Sequence, residues 1–165
     1  MTCEGDPRMN KIDRVRAALA GDPVDRVPIG FWGHFASDPR RADELVAETL
    51  RFQERFDWDF VKLMPTGVYY PEALGCTVTR AAGPDMVSAV SDSIVKRPVD
   101  WRRVPVLEPQ SGWLAGHLET IRRVRAALGP EIFILQTIFS PLAVAHKMSV
   151  HVPFVESVRV HREEL

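Results

Sequence analysis

Two stretches of the chain repeat the same order of features, and this repetition constrains the fold more than any other property. Residues 25–35 (DRVPIGFWGHF) and 59–75 (DFVKLMPTGVYYPEALG) each begin as an apolar run and end in a turn rich in polar and aromatic residues. An amphipathic helical pattern lies between them. Strands that alternate with helices indicate a parallel sheet, and this order is typical of a βα barrel. Barrels of this kind carry their chemistry at the carboxyl ends of the strands, so we expect the site there.

The pattern predicts three strand-to-helix units. The predicted strands are residues 26–32, 60–64 and 132–135. The predicted helices are residues 9–20, 39–55 and 111–128, one that starts at Ser140-Pro141, and one that runs from Pro153 to Leu165. We expect Phe31, Val61 and Ile134 to lie on adjacent strands that run in the same direction.

The predicted fold class is α/β, the N-terminal part of a (β/α)8 barrel with parallel strands and outer helices. Three strands cannot close such a barrel, which takes about 250 residues, and the chain has 165. We therefore expect an incomplete barrel from a longer protein. Residues 1–165 are predicted as a single domain. Within it, residues 1–24 are a helical lead, residues 25–165 are the first three βα units, and residues 68–109 are an insertion on the rim.

Charge and composition exclude several classes of protein. The formal net charge is -1 and the basic residues are spread along the chain, so a nucleic-acid partner is not expected. No apolar run is long enough to span a membrane, and no secretory signal is visible. The two cysteines, Cys3 and Cys76, form no disulfide framework. We expect a cytoplasmic protein in which Cys76 is a packed residue.

The first two predicted strands carry the candidate catalytic residues, His34 and Lys62. His34 follows the first strand, and an imidazole that titrates near neutral pH can bind an anion or transfer a proton; it could equally be a rim histidine bonded to backbone. Lys62 interrupts a buried strand, where lysines are rare unless paired. It could bind a substrate carboxylate, or form an ion pair with Asp59 or Glu72. Trp32 is predicted to line the substrate pocket, with core packing as the alternative.

Further candidates follow the second and third strands. Tyr69 and Tyr70 could stack on a flat substrate, or be ordinary aromatic residues on the rim surface. Gln136 closes the third strand and is predicted to bind ligand. Ser140 is predicted to cap the helix that Pro141 begins. His117 lies on the apolar stripe of a strong helix and is predicted to be packed.

Four phrases, in order and spacing, resemble the uroporphyrinogen decarboxylase superfamily and cover nearly the whole chain. They are RVRAALAGDPVDRVPIGFW, YYPEALG with its following GP, RPVDWRRVPVLEP and FSPLAVAHKM. The resemblance implies a (β/α)8 barrel. True decarboxylases of this family are homodimers without a cofactor that remove carboxyl groups from the acetate side chains of uroporphyrinogen.

The resemblance also implies site residues that this chain has replaced. The two family arginines that bind substrate carboxylates fall on Gly33 and Ser37, and the aspartate that faces the pyrrole nitrogens falls on Thr66. Thr66 can still accept a hydrogen bond, so we keep it as a substrate-binding candidate. It brings no charge to stabilise a cationic intermediate.

Three functions remain open. The first is a uroporphyrinogen decarboxylase-like carboxy-lyase, which acts on a tetrapyrrole in porphyrin biosynthesis or on another polycarboxylate. It predicts a cationic mouth around His34, Arg40 and Lys62. The second is the methyltransferase branch, which moves a methyl group between a corrinoid and a thiol with zinc; no cofactor is predicted within this segment, and the zinc ligands are expected beyond residue 165. The third is a fragment with no activity alone. The predicted partner is a small polycarboxylate or corrinoid-linked substrate, bound by a homodimer when full length.

Overall fold

The structure, a computed structural model, describes residues 8–35, 41–63, 65–80 and 87–165, which fall into two compact units. The first unit comprises Met1–Met64 and Glu119–Thr137, and the second comprises Pro65–Leu118 and Ile138–Leu165. Within the described residues, no helix is long and apolar enough to cross a membrane. The predicted helical lead, single domain and rim insertion stay predictions.

Helices and a parallel strand pair build the first unit. Its elements are α1 (Lys11–Ala20), α2 (Ala42–Phe56), β1 (Phe60–Leu63), the later part of α4 (Gly112–Leu128) and β4 (Phe133–Gln136). The side chain of Asn10 caps α1, and Gly21 ends it with a left-handed φ of 78°. The predicted start of the second helix at Asp38 and Pro39 lies outside the described residues.

Strands β1 and β4 are parallel, which confirms the α/β class. Val61 lies opposite Ile134 and Lys62 lies opposite Leu135. The strands are covered by a small core in which Val46, Leu63 and Val124 are buried. Parallel strands need helices on their faces, and here α2 and α4 supply these core side chains.

The first predicted strand is wrong: residues 26–32 form no strand, so Phe31 does not join Val61 and Ile134 in a sheet. The backbone N–H of Ile29 donates to the side-chain carboxylate of Asp59 at 2.8 Å and not to the backbone of a neighbouring strand. Pro28 has no N–H to donate. Within the described residues, the backbone pairing of this stretch with the next segment is the bond in which the Ile29 carbonyl accepts from the Asp59 N–H at 2.8 Å.

Short elements build the second unit. They are α3 (Tyr69–Ala73), β2 (Thr77–Thr79), β3 (Ala89–Asp92), a 3₁₀ helix (Pro98–Arg103), the start of α4, α5 (Pro141–Met148), α6 (Phe154–Val160) and a second 3₁₀ helix (Arg162–Glu164). Strands β2 and β3 are antiparallel. The core of this unit includes Cys76, Trp101 and Met148, which confirms Cys76 as a packed residue.

Some helix boundaries in this unit match the sequence pattern, and others differ from it. The Ser140 hydroxyl accepts from the Ala143 N–H at 3.2 Å, so the predicted cap of α5 is confirmed. Asp100 lies inside the first 3₁₀ helix, where its carboxylate accepts from the Arg97 N–H at 2.9 Å. The last helix ends at Val160 and does not run to Leu165 as predicted.

Candidate functional site

The carboxyl end of β1 carries a cation on an aromatic ring. Lys62 is half-buried, and its Nζ lies 4.2 Å from the ring centroid of Trp32. This separation is a cation–π contact, since the limit is about 6 Å. Lys62 lies on a strand, as predicted, and its side chain contacts Trp32. A site shared by these two residues requires such a contact.

His34 lies beside the same tryptophan. The His34 and Trp32 rings meet edge to face, with centroids 5.5 Å apart and planes at 83°. Part of the imidazole still faces solvent. Desolvation by its neighbours lowers the pKa of His34 below its ordinary value of 6.5. The lowered pKa favours the neutral ring, and a proton bound to His34 is released more readily than from an ordinary imidazolium.

Neither acid that was considered as an ion-pair partner of Lys62 takes that role. Asp59 accepts hydrogen bonds from Arg14 and Arg26, and Glu72 accepts from Arg80 with both oxygens at 2.8 Å. Among the described residues, Lys62 forms no ion pair. Its ammonium group therefore keeps the capacity to bind an added anion.

The space around these residues in the first unit is shallow. A cleft lined by Trp32, Gly33 and Lys62 has room of about 10 Å³, roughly that of one water molecule. This cleft of the described residues is therefore too small to enclose a substrate. Arg40, predicted as part of a cationic mouth here, lies outside the described residues.

Gln136 closes β4, opposite Leu63 of β1. Its Nε2 donates to the Thr137 carbonyl at 2.8 Å, so part of the amide's hydrogen-bonding capacity is used within the chain. Its role as a ligand-binding residue stays a prediction.

Two of the candidates in the second unit are buried. Thr66 is 4% exposed and Tyr69 is 1% exposed. Tyr69 packs with Tyr70 and His117, at centroid distances of 4.2 and 5.7 Å. Its ring therefore offers no open face for a ligand, because aromatic packing in this core is favoured over exposure. His117 is buried, which confirms it as a packed histidine.

Tyr70 is the more accessible of the two tyrosines. It is half-buried and lines an open groove of about 410 Å³ in the second unit, together with Phe139 and Leu142. Stacking on a ligand by Tyr70 stays a prediction that its position permits.

Sequence reasoning missed Lys147 of α5. Its Nζ lies 5.2 Å from the ring centroid of Phe139, and 3.8 Å from where a Cβ on Gly67 would stand. Gly67 is far from Phe139 and Lys147 in the sequence, and a single lysine on a helix gives no signal of such a contact. The expectation of an acidic substrate, which needs cations to bind it, was the one reason to look for a further lysine.

Sequence reasoning also missed a charged network at the amino end of β1. The guanidinium of buried Arg14 donates to Asp59 at 2.6 Å and to both oxygens of Asp25 at 2.7 and 2.8 Å. Arg26 also donates to Asp59. Leu19 of α1 is 82% exposed, whereas Arg14 of the same helix is buried. Asp59 was not proposed as catalytic, and its burial supports a structural role.

The described residues do not fit a zinc centre. A zinc site takes three or four ligands in one cluster, and no group of three histidine, cysteine or acidic residues converges within the described part of the chain. Cys76 is buried, with its Sγ 3.8 Å from the Ser93 hydroxyl. We therefore derive no step through zinc.

Comparison with known proteins supports the fold described above. The methyltransferase from Methanosarcina mazei superposes with a TM-score of 0.69 at 22% identity, over 91% of this chain and 47% of that one. This chain thus spans about half the length of that structure. No curated protein matches the chain. The model of the uroporphyrinogen decarboxylase (URO-D) family matches residues 10–152, and the chain belongs to that family.

Proposed function

We propose that the chain is the site-bearing part of a uroporphyrinogen decarboxylase-like carboxy-lyase that acts on a small polycarboxylate. One observation carries the proposal: the Lys62 ammonium stands over Trp32, at the carboxyl end of a parallel strand, with no ion pair among the described residues. This is the end of the strand at which enzymes of this architecture place their chemistry.

The cation has a direct chemical use in such a reaction. Lys62 would bind a substrate carboxylate through charge-assisted hydrogen bonds, while the Trp32 ring would offer an apolar face to the carbon skeleton. A bound carboxylate next to a cation is held in place, so the group that leaves can be oriented against the ring that accepts its electrons.

His34 would supply the proton that decarboxylation needs. When the C–C bond breaks and CO2 leaves, the electron pair stays on the substrate and is taken up by an electron-poor ring, such as a protonated pyrrole. A proton then replaces CO2 at the carbon. His34 touches Trp32, and the lowered pKa of His34 makes its imidazolium form a stronger acid.

The substrate class is drawn wider than uroporphyrinogen itself. Gly33, Ser37 and Thr66 stand where the family's two arginines and aspartate are expected, and none carries a charge. Lys62 would therefore be a replacement cation for fewer carboxylates. A tetrapyrrole with eight carboxylates would need further cations.

A corrinoid-linked methyltransferase is the second candidate. It is favoured by the same uncharged residues, since that branch does not use those arginines, and by the fold likeness to a protein named a methyltransferase. In that reaction a corrinoid would carry the methyl group, and zinc would activate the accepting thiol. The ligands for zinc would have to come from outside the described residues, and the homodimer of the full-length protein stays a prediction.

Charge variants of Lys62 test the proposal. Lys62→Met keeps the stem against Trp32 and removes the charge, and Lys62→Arg keeps the charge. Lys11→Met is the matched control, because Lys11 is also in the first unit and pairs with exposed Asp57. We expect Lys62→Met to weaken binding of tricarballylate about 10-fold or more by calorimetry, as for a lost charged hydrogen bond, with the other two variants near wild type.

Turnover assays separate the three candidate functions. Loss of carboxyl groups from uroporphyrinogen, followed by chromatography of the oxidised porphyrins, would support the lyase. Loss of the methyl group from methylcobalamin with zinc and a thiol would support the methyltransferase. Tricarballylate binding without either turnover would fit a chain that is inactive alone. If folded Lys62→Met binds and reacts as wild type does, the assignment of Lys62 is wrong.

A further inference from the structure

Two candidate site residues, Trp32 and His34, lie on a stretch of chain that is neither helix nor strand. This stretch, residues 31–35, is called the site segment below. Within the described part of the chain, no hydrogen bond to another backbone group holds residues 31–35. The position of Trp32 and His34 therefore depends on side-chain contacts that the site segment makes.

The two ends of the site segment pack on rings that lie outside the candidate site. Phe31 packs on Trp58, with ring centroids 5.1 Å apart. Phe35 meets Phe52 edge to face, with centroids 5.8 Å apart and planes at 67°. Both distances lie in the range that aromatic pairs prefer, about 4.5–7 Å. The residues between these two anchors are the ones that reach the carboxyl end of β1.

The two supporting rings are joined to each other and to helix α2. Phe52 lies in α2, and its ring centroid is 5.7 Å from that of Trp58. The buried side chain of Gln53, the next residue of α2, donates from Nε2 to the Trp58 carbonyl at 3.0 Å. Phe52 therefore contacts Phe35 directly and the support of Phe31 through Trp58, so one ring connects both ends of the site segment to a helix.

We propose that Phe52 is a positioning residue, which holds the site segment so that Trp32 and His34 lie beside Lys62. Phe52 is not among the residues that would bind or protonate a substrate, so its effect on the site passes through Phe35 and Trp58. Small displacements of site residues are costly, because catalysis depends on the orientation of the reacting groups. The inference rests on the proposed function, since it concerns the same site.

Removal of the Phe52 ring tests this role. Phe52→Leu keeps an apolar side chain in the whole protein and removes the ring contacts. Desolvation lowers the pKa of His34, and a looser site segment would expose the imidazole further to water. We therefore expect the NMR titration midpoint of His34 to rise toward 6.5 in Phe52→Leu. A loss of stability alone would not move the midpoint in the folded state.

Phe133→Leu is the matched control. Phe133 is a half-buried ring of the same unit, and among the described residues it contacts the Arg16 guanidinium but no other aromatic ring. We expect this variant to keep the wild-type midpoint of His34. An equal rise in Phe133→Leu and Phe52→Leu would overturn the positioning role, because any lost ring would then have the same effect.

Phe35→Leu covers the case in which Phe52→Leu does not fold. It removes the other ring of the same pair, so it should also raise the His34 midpoint. In the double variant the midpoint should rise no further than in the more affected single variant, as for residues that act through one contact. A wild-type midpoint in folded Phe35→Leu or folded Phe52→Leu would overturn the inference.

Ligand binding separates this inference from the proposed function. By calorimetry, we expect Phe52→Leu to weaken tricarballylate binding about 3-fold or more, the equivalent of one lost aromatic contact. If Lys62→Met binds as wild type does while Phe52→Leu shifts the His34 midpoint, the role of Lys62 is contradicted and the positioning role stands. If Lys62→Met loses affinity while Phe52→Leu keeps it, the positioning role is contradicted and the role of Lys62 stands.

Discussion

The two ends of β1 hold charged groups in opposite environments, although Asp59 and Lys62 are three residues apart. At the amino end, the carboxylate of Asp59 is 1% exposed and accepts hydrogen bonds from Arg14, Arg26 and the Ile29 N–H. At the carboxyl end, the ammonium of Lys62 contacts the Trp32 ring and forms no ion pair with any residue that the structure describes. A charge that holds a fold together is saturated by its neighbours, whereas a charge kept for a ligand must retain free donors.

At the amino end of β1, two opposing effects act on the pKa of Asp59. Burial of the Asp59 carboxylate works to raise its pKa, but hydrogen bonds from Arg26, the Ile29 N–H and Arg14 outweigh burial and hold the pKa below its usual value. The hydrogen bond from Arg14 likewise lowers the pKa of Asp25. The same contacts tie α1 and residues 25–29 to the start of β1.

Removal of the Asp59 charge should have the largest effect on the comparison. Asp59→Asn removes the negative charge and one of the two acceptor oxygens that face Arg14, Arg26 and the Ile29 N–H. Breaking a buried pair in this way costs about 3–5 kcal/mol. We expect that loss in the free energy of unfolding, measured with urea. Asp57→Asn is the control, because Asp57 is 83% exposed in its side chain and its pair with Lys11 is worth about 1 kcal/mol or less. Equal losses in the two variants would show that the network is not special.

Acid should weaken the same end progressively. The folded-state pKa values of Asp25 and Asp59 lie below their unfolded values. Their contribution to stability is therefore complete above the unfolded pKa of about 3.9 and is lost as the pH falls through the folded values. We expect urea midpoints to fall below about pH 4 in wild type.

Asp59→Asn provides the control for that acid dependence. Because the variant has one titrating group fewer in the network, its stability should fall less steeply with acid than that of wild type. An identical slope in wild type and Asp59→Asn would assign acid sensitivity to other carboxylates.

The comparison also shows why part of this structure could be predicted from sequence and part could not. The pairing of β1 with β4 follows from two buried apolar runs separated by a helical pattern, and Val61 meets Ile134 as expected. These are local signals. The missing strand at residues 26–32 depends on the Ile29 N–H reaching the side chain of Asp59, 30 residues away.

Long-range contacts decide where the candidate site residues lie. Lys62 was chosen because it interrupts a buried strand and Trp32 because it ends an apolar run, and the structure brings the two together. Tyr69 was chosen because it lies in the turn after the second strand, and it is buried because Tyr70, His117 and Phe139 pack around it. No spacing in the sequence distinguishes an aromatic residue on a rim from one enclosed by three distant rings.

The smallest effect should be found at His34, and it tests whether the carboxyl end is open to an anion. Desolvation lowers the pKa of His34, so we expect its NMR titration midpoint below 6.5 in the free chain. A carboxylate bound by Lys62 would bring a negative charge near the imidazole and favour the imidazolium. Tricarballylate should therefore raise the His34 midpoint in wild type and leave it unchanged in Lys62→Met. A midpoint above 6.5 without ligand would mean that an acid already occupies this end of β1, and the contrast between its two ends would disappear.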